Sequence, residues 1–290
     1  MEKKLALGII SDEIGQDFEH ALGVIKELGA EYVEIRSLWE KSIVDLSPQE
    51  IDRAKRLVEG SGLRVAAIGS SLFKCPLHEG SKTTGGGYFT GGKGYNEHLA
   101  TIDHCFELAR VFGTQMVRTF AFWREGELSD SVLDEIAGKL SEPVEKAEGA
   151  GMVLVLENEH QTFIGNGKSS QRLLDRIPSK SFGLIWDPGN AFHTGEVPYP
   201  VGYERIKERT SHVHIKDVKR DEAGQYHWMP VGRGEMDITG QLQALIDDVY
   251  SGIVALETHY VPEGGTKEEG TRESWKGLID VLQSVQKTAP

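Results

Sequence analysis

The sequence predicts an α/β protein, a (β/α)8 or TIM barrel in which eight parallel strands form one closed sheet. Three observations predict it. Short apolar segments alternate with amphipathic helical segments eight times along 290 residues, the rhythm and length of such a barrel. The strand segments are rich in Val, Ile and Leu, as strands buried on both faces are. No Gly-rich dinucleotide fingerprint follows the first strand, so the usual mark of a doubly wound open sheet is missing. No linker or low-complexity boundary divides the chain, and residues 1–290 read as a single barrel domain.

Leu5–Ile10 is the first strand. Asp17–Leu28 is a helix because Phe18, Leu22, Ile25 and Leu28 recur at helical spacing. Tyr32–Arg36 is the second strand. The next helix opens at Ser47-Pro48-Gln49-Glu50, with a capping serine, a proline at the first helical position and a glutamate in the first turn. It runs to about Glu59, where Gly60 and Gly62 end it. Arg64–Ser70 is the third strand. The long connection after it contains Gly80–Gly94, with seven glycines. This reads as a lid over the strand ends, with Phe73, Tyr88 and Phe89 available to cover a ligand; a loose surface loop is the plainer alternative. Asn96–Phe112 is a helix stopped by Gly113, and Gln115–Phe120 is strand four. Ser131–Glu148 is helical, with Pro143 as a kink or boundary, and Met152–Glu157 is strand five. Helix Ser169–Ile177 leads to strand six, Phe182–Asp187. A short helix, Tyr203–Arg209, precedes strand seven, Ser211–Asp217. Helix Ile238–Tyr250 leads to strand eight, Gly252–Glu257, and Thr271–Val285 is the closing helix.

Hydrophobic content of 39% and charged content of 27% are those of a globular protein. The formal net charge of −13 argues against a nucleic-acid partner, which requires a basic surface. No apolar run is long enough to span a bilayer, and the N-terminal residues lack the apolar length and cleavage site of a signal peptide. Cys75 and Cys105 show no metal-type spacing and read as two free thiols of a reducing compartment, with one isolated disulfide as the alternative. The expected localisation is cytoplasmic. The expected partner is a small carbohydrate, with no nucleic acid and no membrane; a homo-oligomer is left open.

The candidate site follows from strand seven. Alternation puts His212, His214 and Lys216 on one face and the apolar Val213 and Ile215 on the other. Three other strands end in a carboxylate: Glu157, Asp187 and Glu257. In a barrel of this kind the C-terminal strand ends share one face, so the four side chains converge. Three ionised carboxylates at one point need a compensating positive charge, which a divalent cation supplies. Three oxygen donors and one imidazole suit Mn²⁺, Mg²⁺ or Co²⁺ better than a structural zinc site built on thiolates. The expectation is one divalent ion, Mn²⁺ first, with Mg²⁺, Co²⁺ or Zn²⁺ as alternatives. The plain alternative is four separate, salt-bridged residues. Arg36 and Glu34 near the end of strand two, and Arg118 late in strand four, are either internal ion pairs or a clamp for a carboxylate, phosphate or sugar hydroxyls. Lys216 either pairs with a site carboxylate or contacts substrate. His212 reads as a supporting histidine. Of His160, His193, His227 and His259, all in strand-end loops, one is expected to meet substrate. Asp217 is placed to orient His214 or Lys216.

Val155-Leu156-Glu157-Asn158, Trp186-Asp187-Pro188-Gly189-Asn190, His212-Val213-His214-Ile215-Lys216-Asp217 and Leu256-Glu257 together resemble the xylose isomerase-like barrels. The nearest branch is the sugar phosphate isomerase/epimerase group, with endonuclease IV a more distant member. The resemblance implies that Glu157, Asp187, His214 and Glu257 bind one divalent metal and that Glu157 and Glu257 form the acid/base pair. It also implies that Arg220 meets substrate oxygens. Gly232-Arg233-Gly234-Glu235-Met236-Asp237 resembles the family's turn after strand seven. One departure stands out: many members carry a histidine three residues after the metal aspartate, and here that position is Asn190, with His193 three further on. The expected substrate contacts are therefore Asn190, His193, Lys216, Arg220, Arg36 and Arg118. The function implied is a metal-dependent isomerase or epimerase of a sugar, sugar phosphate or keto-polyol. It would abstract a proton beside a carbonyl and pass through a metal-stabilised enediolate. The alternatives are a lyase on a keto-cyclitol or keto-sugar, a phosphodiesterase of the endonuclease IV kind, and a non-catalytic sugar-binding barrel. Fold does not decide among them.

Overall fold

The computed structural model describes residues 5–81 and 92–288. Eight strands form the barrel: β1 Ala6–Ile10, β2 Tyr32–Ile35, β3 Arg64–Leu72, β4 Met116–Thr119, β5 Val153–Glu157, β6 Phe182–Trp186, β7 Thr210–Ile215 and β8 Ile253–Leu256. Each strand pairs in parallel with its sequence neighbours and β1 pairs with β8, so the sheet closes as predicted. The helices among the described residues are α1 Phe18–Glu27, α2 Pro48–Ser61, α3 Tyr95–Phe112, α4 Asp130–Ala150, α5 Gly167–Leu174, α6 Pro188–His193, α7 Tyr203–Ile206, α8 Ile238–Asp247 and α9 Lys267–Thr288. None of them is long and apolar enough to cross a membrane.

The local signals work as their chemistry requires. Ser47 and Glu50 form a reciprocal capping box at the start of α2, and Gly62 ends that helix in the left-handed conformation at φ 78°. Pro143 lies inside α4 and is buried, so the helix passes through the proline instead of ending there.

Two elements differ from the sequence reading, and both shape the site. β6 stops at Trp186, and Asp187 caps the six-residue α6 by accepting the Asn190 backbone N–H at 2.8 Å. β7 stops at Ile215. Beyond Lys216 the chain turns into an antiparallel hairpin, Asp217–Arg220 against Tyr226–Met229, that stands over the strand ends.

Residues 82–91 of the expected lid, including Tyr88 and Phe89, lie outside the described residues. Phe73 does not cover a ligand. It is fully buried against Tyr95, His98 and Phe122, with ring centroids 5.5, 6.0 and 6.1 Å away.

Cys75 and Cys105 are unpaired and buried, and burial pushes each thiol up to about 12. A thiolate-seeking reagent such as iodoacetamide should therefore label neither in the native protein at pH 8, and both after denaturation. Mass spectrometry of the two samples measures this, and native labelling of either cysteine would contradict the packing described here.

Candidate metal centre

Glu157 ends β5, Asp187 follows β6, His214 lies late in β7 and Glu257 follows β8. All four are at least 98% buried at one end of the barrel. Each offers one ligand atom, and these atoms lie within 4.8 Å of one another. His214 Nδ1 stands 3.7 Å from Glu157 Oε1 and 3.6 Å from Glu257 Oε2. His214 Nδ1 is buried without a hydrogen-bond partner, and the buried Asp187 Oδ2 has no hydrogen bond, only the Lys216 ammonium beside it. Such orphans are costly in a folded protein unless something else satisfies them. A ring nitrogen and carboxylate oxygens aimed at one point suit a hard or borderline divalent cation.

The surroundings hold these groups in place. Glu34, fully buried on β2, receives His214 Nε2 at 2.9 Å and His212 Nε2 at 2.8 Å on the same oxygen. That bond fixes the Nε2–H tautomer of His214 and turns Nδ1 toward the carboxylates. Asn158 clasps the backbone of Asp187, donating from Nδ2 to its carbonyl and accepting its N–H, both at 2.8 Å. Lys216 Nζ is 2.9 Å from Glu257 Oε2 and 2.8 Å from Asp187 Oδ2, the latter within ion-pair range but out of line for a hydrogen bond. Gly189 makes this possible, because a Cβ there would meet Lys216 Cγ at 2.6 Å. Arg118 donates to Glu157 Oε2 at 3.0 Å. Arg36 is a hub: it bonds Glu257 Oε1 at 2.5 Å, Glu13 Oε1 at 2.7 Å and both oxygens of Asp12.

The charges follow from these contacts. Burial raises the Asp187 carboxyl to about 6, with Glu257 and Glu157 adding to the rise and Lys216 opposing it. For Glu157 burial is outweighed by Arg118, and for Glu257 by Lys216, His259, His214 and Arg36; both carboxyls stay below their usual range. Burial opposes charge on His214, but Glu34 and Glu157 hold its pKa well above the ordinary histidine value, so a cation taking Nδ1 would have to displace a proton from it. Two neighbouring clusters have the spacing of metal ligands but are already engaged. In Glu34–His212–His214 the carboxylate bonds both rings, and in Glu13–Glu257–His259 the Arg36 guanidinium bonds both carboxylates.

A cavity of about 380 Å³ opens at this end of the barrel, lined by Glu157 and Glu257 but not by Asp187 or His214. Of the expected substrate contacts, Asn190, Lys216, Arg36 and Arg118 line it. Asn190 reaches Glu157 Oε1 at 3.3 Å and His160 Nδ1 at 3.1 Å. His193 stands behind this wall, stacked between His160 and Tyr226 at 4.6 and 4.2 Å. Arg220 is not brought to the cavity. The hairpin carries it outward, where it is exposed, lies over Tyr226 and donates to the Gly224 carbonyl. Asp217 orients neither His214 nor Lys216; it accepts the N–H groups of Val218, Gly232 and Gly234 and so ties the turn after the hairpin. Glu34 pairs with the two histidines, not with Arg36 or Arg118.

The sequence reading missed Glu13, Lys74, Glu159 and Trp228, which also line the cavity. Glu13 had a usable signal, a carboxylate just after an apolar strand, as at Glu157. Trp228 had none, because its position depends on the hairpin.

Fold and centre define a (β/α)8 barrel with a carboxylate–imidazole cluster at its strand ends. The sequence model of the xylose isomerase-like TIM barrel matches residues 22–282, and the chain belongs to that family. Inosose dehydratase of Lacticaseibacillus casei is 21% identical over 175 residues, which is 56% of this chain and 58% of that protein. The chain thus spans little more than half the length of this relative. A xylose isomerase-like TIM barrel protein from Mycobacterium smegmatis, in complex with magnesium, superposes with a TM-score of 0.71 at 18% identity over 98% of each chain. The 3-keto-D-glucoside 4-epimerase of E. coli superposes with a TM-score of 0.69 at 18% identity, covering 97% of this chain and 100% of that one. Identities this low establish a shared fold.

Proposed function

We propose that this chain is a divalent-metal-dependent enzyme that abstracts a proton beside the carbonyl of a sugar or keto-polyol and returns it elsewhere, as an isomerase or epimerase. The observation that carries the reading is the pair of buried glutamates, Glu157 and Glu257, which line a cavity and flank an orphaned histidine nitrogen beneath it. Glu157, Asp187, His214 and Glu257 would hold the ion, Mn²⁺ first by donor type, with Mg²⁺, Co²⁺ and Zn²⁺ acceptable to the same set. When bound, the ion supplies Lewis-acid polarisation of a carbonyl and charge compensation for an enediolate. Glu157 and Glu257 come from strands separated by β6 and β7 in the barrel order, so they address the substrate from two sides. One takes the proton and the other returns it: to the opposite face for epimerisation, or to the neighbouring carbon for isomerisation. Arg118 and Arg36 keep the two carboxylates ionised and aimed, and Lys216 bridges Asp187 and Glu257. Asn190 and His160 supply polar contacts at the wall.

A lyase is the second reading, favoured by the match to inosose dehydratase. It shares the first proton abstraction and differs in expelling a β-hydroxyl. A phosphodiesterase of the endonuclease IV kind has less support, because Arg36 already engages the carboxylates of the neighbouring Glu13–Glu257–His259 cluster. The test is a panel of ketoses, keto acids and inososes incubated with the Mn²⁺-loaded protein in D₂O and read by NMR. Deuterium at one carbon identifies both the substrate and the step. No exchange and no conversion across the panel would remove this reading.

Glu34 offers a milder check on the centre. Glu34→Gln leaves an amide that cannot accept from both ring N–H groups with a full charge. Mn²⁺ affinity should fall by about 10-fold, within the usual range for a support behind a ligand. Titration calorimetry measures it, and an unchanged affinity would count against the tautomer argument.

A further inference from the structure

We propose that the cavity is built for an uncharged polyhydroxylated carbonyl compound and discriminates against its phosphorylated and carboxylated counterparts. The inference rests on the functional reading above and narrows its substrate class. A site for phosphate or carboxylate needs cationic donors left over for the ligand, two or more in the usual bidentate or clustered form. Here four of the lining cations, Arg36, Arg118, Lys216 and Lys74, are already paired with carboxylates of the protein. Arg36 serves Asp12, Glu13 and Glu257, and Arg118 serves Glu157 together with the carbonyls of Gly69 and Ser70. Lys216 serves Asp187 and Glu257, and Lys74 serves Glu159 at 2.8 Å. The remaining lining lysine, Lys267, is anchored on the Asp12 carbonyl at 3.1 Å. An anionic substituent approaching Lys74 meets Glu159, and one approaching Arg36 meets Glu13. Like charges brought together in this way are a repulsive device against the wrong ligand.

The same wall suits hydroxyl groups. Ion-paired guanidinium and carboxylate groups keep spare donor and acceptor positions, which a neutral polyol can fill from both sides. His160 is held at Nδ1 by Asn190 and Glu159, while its Nε2 has no partner among the described residues and its ring lines the cavity. Trp228, on the hairpin, lies over Lys216 Nζ at 5.1 Å and packs beside His259. Its ring lines the cavity as an apolar surface of the kind that covers the C–H face of a sugar or cyclitol.

The test uses matched pairs with the Mn²⁺-loaded full chain: D-fructose against D-fructose 6-phosphate, and an inosose against a cyclic keto acid of the same ring size. Solvent deuterium exchange gives kcat/KM for each. The neutral member of at least one pair should exceed its charged partner by about 100-fold, on the scale of a few like-charge contacts. Which pair responds separates open-chain from cyclic substrates. The variant Glu159→Gln releases Lys74 and should strengthen inhibition by inorganic phosphate about 10-fold, and adding Lys74→Met should cancel that gain. Equal exchange of charged and neutral members, or no effect of Glu159→Gln on phosphate, overturns the proposal. If nothing exchanges but myo-inositol or xylitol still binds, with inorganic phosphate much weaker, the uncharged class stands and the isomerase or lyase reading falls. If neither neutral nor charged probes bind or exchange, both fall.

Discussion

Asp187→Asn is expected to leave a folded protein that has lost Mn²⁺ affinity by about 100-fold or more, exceeding the about 10–100-fold cost of removing an outer support. The two oxygens of Asp187 have different tasks. Oδ1 accepts the Asn190 N–H and caps α6, a task that an amide oxygen retains. Oδ2 is the buried orphan facing the other ligands, with the Lys216 ammonium 2.8 Å away. An amide would present its NH₂ there, against an ammonium, and would remove one of three negative charges from the centre. The fold should survive because the cap survives, and a thermal melt beside the wild type checks this. Acidity offers a second handle. Burial lifts the Asp187 carboxyl to about 6, so a proton competes with the ion at this position. Wild-type affinity should therefore fall as pH drops through about 6. Elemental analysis after dialysis, with calorimetric titrations at pH 7.5 and 5.5, measures both effects. A variant that retains its full metal content would show that Asp187 is not a ligand.

The barrel was legible because its strands are apolar on both faces, so Leu154, Val155 and Leu156, or Leu184, Ile185 and Trp186, read as strand with no partner known. The carboxylates at the ends of such runs were legible for the same reason: Glu157 and Glu257 break an apolar pattern where nothing in the core explains them. What pairs with what was not legible. Glu34 is visible as a charge inside a strand, but its partners His212 and His214 lie 178 and 180 residues away and meet it only because the sheet closes. In the sequence Arg36 and Arg118 read as one ion-pair group with Glu34. In the fold each goes to a different acid, because β2 faces the turn after β1 while β4 lies beside β5. α6 is too short for a helical period to show, although Asp187-Pro188 carries the cap and the first-position proline that mark a helix start. The hairpin after Lys216 escaped because Asp217–Arg220 has a charged outer half and no apolar stripe to bury. That hairpin places Trp228 at the cavity and carries Arg220 away from it, so the cavity wall was harder to read than the carboxylate–imidazole cluster.

Glu157→Gln and Glu257→Gln should each retain part of the metal and lose turnover by about 100-fold or more, the usual scale for a general base or acid. Glutamine keeps a neutral oxygen for the ion and removes the proton acceptor. The two positions should differ in how well they tolerate the change. Glu157 Oε2 faces Arg118, while Oε1 faces the Asn190 amide at 3.3 Å and the His214 ring at 3.7 Å rather than a second Arg or Lys. Glu257 has Arg36 on one oxygen and Lys216 on the other, so an amide NH₂ there must confront a cation whichever way it turns. Glu257→Gln should therefore lose more stability and more metal than Glu157→Gln. The kinetic signature is separate from that loss. If one glutamate removes the proton and the other returns it, one variant should still exchange a substrate C–H with D₂O while forming no product, and the other should do neither. NMR of the recovered substrate distinguishes these outcomes, with metal content measured on the same samples. Near wild-type turnover in both variants with the ion bound would exclude the two-glutamate mechanism. The base would then have to be sought among His160 and Lys216 at the cavity and His193 behind it.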